Sequence, residues 1–169
     1  ILISLLSKLD ETQLKLMLID PKVVELSPYN DIPHLITPVV TNIHKAVQAL
    51  QWSVGEIERR YQLLSLWEVR NIESYNQKIC RLNAEGIAKD TFSPLPYIVI
   101  VIDEFANLML TSGQQTEECI VRIAHKARAV GIHLILATQR PASNVITGVI
   151  RANIPSRIAF TVTSAVDSC

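Results

Sequence analysis

Five β-branched residues in unbroken succession, Ile98-Val-Ile-Val-Ile102, run directly into Asp103 and Glu104. Such a run has no polar face, so it suits a strand buried on both sides and not an amphipathic helix. Two carboxylates cannot share that burial and must stand where the strand leaves its sheet. In an open α/β sheet that exit is where ligands bind. Paired acids there suit metal-assisted phosphate chemistry: Asp103 can hold Mg²⁺ through its water shell, and Glu104 can orient a water toward a γ-phosphate. A second run, His133-Leu-Ile-Leu-Ala-Thr-Gln-Arg-Pro141, repeats the arrangement about one helix later.

The 169 residues are one domain's worth, long enough for a sizeable core. A hydrophobic share of 49% beside 19% charged residues excludes a disordered chain. No apolar run approaches the ~18–20 residues needed to span a bilayer. With no signal peptide and Ile1 in place of Met, the sequence reads as a piece of something longer. Cys80, Cys119 and Cys169 have no metal-ligand spacing and fit a reducing compartment better than a disulfide framework. The net charge of zero hides an asymmetry. No acid lies between Glu118 and Asp167, yet Arg122, Lys126, Arg128, Arg140, Arg151 and Arg157 do. Such a stretch favours a polyanionic partner, nucleotide or nucleic acid.

Apolar spacing predicts the tail of a helix over 1–9, a strand over 14–19 stopping at Asp20-Pro21, and an extended segment around Pro28, Pro33 and Pro38 with strand-like pieces at 35–36 and 39–40. Thr41 or Asn42 should cap a long helix reaching about Trp67, with a second over 72–84. After a loop over 85–96 come a strand over 97–102, a helix over 116–130 closed by Gly131, a strand over 133–138, a short helix over 145–152 and a strand over 157–163. Strands alternating with helices imply a mainly parallel sheet covered on both faces. Its polar edge should collect Asp20, Asp103, Glu104, Thr138 and Gln139.

Twelve short motifs then become recognisable together: Asp20-Pro-Lys22, Ile32-Pro-His-Leu35, Glu58-Arg-Arg-Tyr61, Val69-Arg-Asn71, Tyr75-Asn76, Asp103-Glu-Phe105, Lys126-Ala-Arg-Ala129, Gly131-Ile-His133, Ala137-Thr-Gln-Arg-Pro141, Ile146-Thr-Gly148, Ala152-Asn153 and Arg157-Ile-Ala-Phe160. Collinear across the chain, they resemble the motor domain of the FtsK/SpoIIIE DNA translocases. The resemblance implies a RecA-like P-loop NTPase core using ATP and Mg²⁺, part of a homo-hexameric ring around double-stranded DNA that serves bacterial chromosome segregation and cell division. It implies a motor working in the cytoplasm within a full-length protein anchored in the cell membrane. Residues 1–169 would be a partial motor domain. The family's phosphate loop, Gly-x-x-x-x-Gly-Lys-Ser/Thr, would lie upstream of residue 1, leaving this piece with poor affinity for ATP and inactive alone. Departures from the family pattern are Asn107 (mostly Asp in relatives), Ala165 (often basic) and Cys169 (usually Arg).

The resemblance also distributes roles. Asp103 and Glu104 match the Walker B pair, Asp103 toward Mg²⁺ through water and Glu104 as the water-orienting base. Gln139 matches the polar sensor, and Thr138 beside it is assigned to the nucleotide. Arg128 is the first choice for an arginine finger acting on a neighbour's γ-phosphate, with Arg157 the alternative. Arg140 and Arg151, flanking a loop without acids, are expected to track DNA phosphates. Each has a plainer alternative: a solvated strand end for the acids, a strand-end hydrogen bond for Gln139, surface ion pairs or a solvated loop for the arginines. Asp20 and Lys22 read as supporting or interface residues. His34 receives no role, and Trp52, Tyr61 and Trp67 read as packing. Two other functions compete: a protein-secretion ATPase of the same superfamily, and a nucleotide-free structural module. The acid-free basic stretch and the Arg140-Pro and Ile146-Thr-Gly motifs favour DNA over polypeptide.

Overall fold

A computed structural model describes residues 1–87 and 92–160. Its centre is β2 (Tyr97–Ile102), flanked by β1 (Leu14–Ile19) and β3 (Ile132–Leu136), all parallel and in the order β1-β2-β3 among the described residues. Alternation along each strand sorts side chains between two cores. Met17, Ile19, Ile98, Ile100, Ile102 and Ile132 enter one, whereas Leu14, Leu16, Leu18, Val99 and Val101 enter the other. The continuous β-branched run is thus explained: both faces of β2 are covered, so no position along it is free to be polar.

The larger core lies under α2 (Ile43–Leu66), α3 (Ile72–Ala84) and α4 (Phe105–Lys126). Asn42 starts α2 by accepting hydrogen bonds from the N–H groups of His44 (2.9 Å) and Lys45 (3.2 Å). Its buried stripe, Ala46, Val47, Leu50, Ser53, Ile57, Arg60 and Leu64, recurs every three or four residues. Arg60 is an unexpected member, buried because its guanidinium binds Glu56 (2.8 Å) and the carbonyl of Val130 (2.8 Å). Trp67 meets Tyr75 and Phe92 edge to face, while Trp52 is exposed. On the opposite face α1 (Leu2–Leu6) sets Leu2, Leu5 and Leu6 against the second core, joined by Leu9 beyond its end and by Tyr29, Ile32 and Leu35. His34 is part of that wall, its Nε2 bonded to the carbonyl of Leu9 at 3.0 Å.

The proline-marked segment borders β1. It makes two isolated parallel bridges, Leu16 with Leu35 and Ile19 with Val40. Pro38 between them has no N–H to donate, which limits the pairing to separate contacts.

Several boundaries differ from those expected: α1 spans Leu2–Leu6 and not 1–9, and α4 ends at Lys126 and not at 130. The helix after β2 starts at Phe105 and not at Thr116, because buried Phe105 anchors it where the strand ends and Glu104 caps it. A kink at Ser112 (φ −138°, ψ 42°) divides it. The strand expected over 133–138 spans Ile132–Leu136, since its partner β2 ends at Ile102 opposite Leu136. The short helix, α5 (Gly148–Asn153), begins after Thr147 caps it, and Val145 is a core anchor outside it. Residues 157–160 of the expected last strand have no strand pairing, and Ile158 and Phe160 stand exposed. The remainder of that strand, Ala165 and Cys169 lie outside the described residues.

Gly131 closes the turn into β3 at φ 72°, and a Cβ there would stand 2.5 Å from Ile72 Cδ1 and 3.1 Å from Tyr97 Cδ1. Both the conformation and the space require glycine.

Candidate functional site

Parallel pairing aligns the carboxyl ends of the three strands. Ile19 is paired with Ile102 and Ile102 with Leu136, so the residues just beyond each strand converge on one edge. Backbone bonds continue past the strand ends: Asp103 N–H donates to Ile19 O (3.0 Å), Ala137 N–H to Ile102 O (2.8 Å) and Phe105 N–H to Ala137 O (2.9 Å). The polar cluster therefore stands on fixed backbone.

Glu104 is its centre. Although only 3% exposed, it is ionised and well bonded. Thr138 Oγ1 donates to Oε1 at 2.7 Å. Oε2 receives the Lys22 ammonium at 3.2 Å and the Gln139 backbone N–H at 3.4 Å. The Ala106 N–H, in the first turn of α4, lies 3.4 Å from Oε1, where the helix end favours a negative charge. Burial pushes the Glu104 carboxyl up, but the bonds from Thr138, Lys22 and Gln139 and the Lys22 charge outweigh it, leaving its pKa below the ordinary glutamate value. Asp103 behaves oppositely. Burial first, then the negative charges of Asp20, Glu25 and Glu104, raise its pKa, and Lys22 only partly offsets them.

Asp20 is fully buried and faces inward to its own loop. Its carboxylate accepts from the N–H groups of Lys22 (3.0 Å), Val23 (2.9 Å), Val24 (2.9 Å) and Leu26 (3.1 Å). Burial raises its pKa, but the four amides prevail and hold it low. Within this turn Val23 adopts φ 60°, an uncommon conformation for a β-branched residue. Asp20 thus shapes the loop that presents Lys22. The ammonium of Lys22 reaches Gln139 Oε1 at 3.4 Å as well as Glu104. Sequence reasoning left Lys22 without a definite role, because its partners lie far along the chain; the available signal was its place three residues beyond a strand that pairs with β2.

The edge collects Asp103, Glu104, Thr138 and Gln139 as expected. Arg140 adjoins it, exposed, with its N–H bonded to Thr138 Oγ1 at 3.1 Å. Arg151 stands apart on α5, its Nε bonded to Ile146 O at 3.1 Å, and Arg157 donates to Arg151 O at 2.8 Å. Arg128 is exposed in a short 3-10 turn just before β3, at the amino end of the sheet and away from the acidic edge of its own chain. Asn107 lies in the first turn of α4, its N–H bonded to the Glu104 carbonyl at 3.2 Å.

Excess negative charge beside Asp103 fits a divalent cation. No group of three or more His, Cys, Asp or Glu gathers into a metal cluster among the described residues. No described helix is long and apolar enough to cross a membrane.

A model of the FtsK/SpoIIIE family matches residues 1–143. DNA translocase FtsK of Haemophilus ducreyi is 58% identical over 182 residues, covering 99% of this chain and 19% of that protein. Its namesake in Haemophilus influenzae is 57% identical, covering 99% of this chain and 34% of that protein. In Lactococcus lactis subsp. cremoris the figures are 54% identity, 99% and 22%. The chain therefore spans a fifth to a third of the length of these relatives. Among solved structures, the pCW3 conjugation coupling protein TcpA, in monomer form with ATPgS, superposes with a TM-score of 0.66 at 28% identity, covering 86% of this chain and 40% of that one. The cytoplasmic domain of the Type VII secretion ATPase EccC of Thermomonospora curvata gives 0.66 at 22% identity, covering 85% and 16%, which is a likeness of fold. The fold is that of the P-loop ATPase motor domains.

Proposed function

The chain belongs to the FtsK/SpoIIIE family, and from that premise we propose that it is part of the motor domain of an ATP-driven double-stranded DNA translocase. The observation that carries this reading is the buried, ionised Glu104 at the edge of a parallel sheet, fixed by Thr138, Gln139 and Lys22. A carboxylate kept charged and held in place by these bonds is suited to accept a hydrogen bond from an attacking water and orient it. Asp103 is assigned to Mg²⁺ through water, and Thr138 and Gln139 to the nucleotide side of the site. Bound ATP would supply the electrophilic phosphorus, and its Mg²⁺ would supply positive charge beside the acidic edge. The 169 residues contain no Gly-x-x-x-x-Gly-Lys-Ser/Thr run, and none of them is assigned to a phosphate cradle.

Arg128 is assigned as the arginine finger, with Arg157 as the alternative. Its place at the far end of the sheet supports action on a neighbouring subunit in a hexameric ring. Arg140 and Arg151 are assigned to DNA phosphates. The full-length protein is proposed to be membrane-anchored and to act in chromosome segregation and cell division. A protein-secretion ATPase is the alternative, since EccC shares the fold. Identity of 54–58% to DNA translocases against 22% to EccC favours DNA.

In the full-length parent protein, Glu104→Gln should retain ATP binding and lose roughly two to four orders of magnitude in turnover. Equilibrium nucleotide binding measured beside steady-state hydrolysis provides the test, and near-normal hydrolysis would remove Glu104 from the mechanism.

A further inference from the structure

Lys22 joins two groups to which the proposed reaction gives separate tasks. It emerges from the Asp20 loop, whose buried carboxylate binds four consecutive or near-consecutive amides, including that of Lys22 itself at 3.0 Å. Its backbone is therefore pinned on one side by Asp20, and the left-handed step at Val23 follows immediately. The side chain, 40% exposed, spans from this loop to Glu104 Oε2 and Gln139 Oε1. Three strands are thereby connected at their carboxyl ends through one ammonium group.

The chemistry of the amide gives that contact a direction. Gln139 has one acceptor oxygen and one donor nitrogen, and Lys22 can only donate. With Oε1 directed to Lys22, the NH₂ group remains to face a γ-phosphate, which can only accept. Removing the ammonium leaves the amide free to rotate and to bond elsewhere, so its nitrogen is no longer held in one place. Glu104 is affected in parallel, because Oε2 would keep the Gln139 backbone N–H alone while Oε1 keeps Thr138.

We propose that Lys22 is a positioning residue for ATP hydrolysis, which sets the Glu104 carboxylate and the Gln139 amide in one fixed arrangement and directs the amide nitrogen to the γ-phosphate. This inference rests on the reading of Glu104 and Gln139 as hydrolytic residues. It assigns to Lys22 no grip on the nucleotide itself, so rate and affinity should respond differently to its loss.

The test uses the full-length protein with duplex DNA present, measuring kcat, KM for ATP and the affinity for ATPγS. Lys22→Met should lower kcat by about 10- to 100-fold, the usual consequence of misplacing a reacting group, while KM and ATPγS affinity stay within about threefold. Lys22→Arg should restore most of the loss, since it keeps a charged donor of similar reach. Adding Lys22→Met to Gln139→Leu should cost less than about twofold further, as expected for residues acting as one unit. Lys22→Gln, which retains a donor without the charge, is the second variant if the methionine form does not fold; it should fall between Arg and Met. An unchanged kcat, a fall in ATPγS affinity parallel to kcat, or multiplicative losses in the double variant would each overturn the proposal. Normal turnover in Glu104→Gln would instead overturn the underlying reading, and that variant is run in the same series.

Discussion

Asp20 and Asp103 lie at the ends of paired strands, yet their surroundings drive them apart. Asp20 is surrounded by N–H donors, whereas Asp103 is surrounded by acids. This contrast has a pH consequence. A carboxylate whose folded pKa is depressed contributes stability above its unfolded value, and the contribution is lost as pH falls through the folded one. Asp20 should therefore strengthen the fold at neutral pH and cease to do so in strong acid. Asp20→Asn offers one acceptor oxygen to four amides and should destabilise the fold by about 2–4 kcal/mol at pH 7, with the difference from wild type shrinking below the usual carboxylate range. Urea titrations at several pH values measure both; a pH-independent difference would mean that the charge of Asp20 is not what holds the loop. Of the residues at this edge, Asp103 and Glu104 were legible because an apolar run ended in them. Lys22 was not, since a bond between residues 22 and 104 leaves no local trace.

At the scale of elements, α2 holds the segment between α4 and β3 at both ends. Tyr61 Oη donates to the Lys126 carbonyl at 2.9 Å and Arg60 to that of Val130 at 2.8 Å, so Arg128 lies between two fixed points. Arg60→Leu removes one such bond and leaves Glu56 with only Arg59 as a partner. Loss of one member of a largely buried pair costs about 3–5 kcal/mol, less here because Arg59 remains. The expected outcome is a lower urea midpoint and, in the full-length protein, slower hydrolysis with nearly unchanged ATP affinity. Full activity in a folded Arg60→Leu protein would show that this support is not needed by Arg128. Sequence spacing placed α2 and narrowed its cap to Thr41 or Asn42, of which Asn42 serves, but arginine ordinarily indicates a surface, and the carbonyl that draws Arg60 inward belongs to a distant turn. The first half of α4 was missed for another reason: Phe105, Ala106 and Leu108 are buried but Leu110 is exposed, so apolar residues fall on both faces and blur the helical spacing.

Across the whole molecule, the distance between the acidic edge and the turn bearing Arg128 separates the proposed base from the proposed finger. Each chain would then contribute opposite ends of its sheet to two different sites. Arg128→Ala in the full-length protein should abolish hydrolysis without loss of nucleotide binding. Mixing it with Glu104→Gln subunits should restore some activity, because interfaces pairing an intact Glu104 with an intact Arg128 then form. Failure of the mixture, with Arg157→Ala rescued in its place, would transfer the role to Arg157. The fold class was legible because three buried strands alternate with helices. The expected last strand was not realised over 157–160, since strand character in a sequence specifies no neighbour to bond with.

The two bridges along β1 have a consequence for how such a sheet meets other chains. A bare strand margin is a template on which any extended polypeptide can polymerise. Here the segment carrying Leu35 and Val40 occupies one margin, and its prolines present few donors outward. Among the described residues, growth of the sheet is thereby one-sided: the β1 side is closed to recruitment, and the β3 side offers unused backbone to another strand.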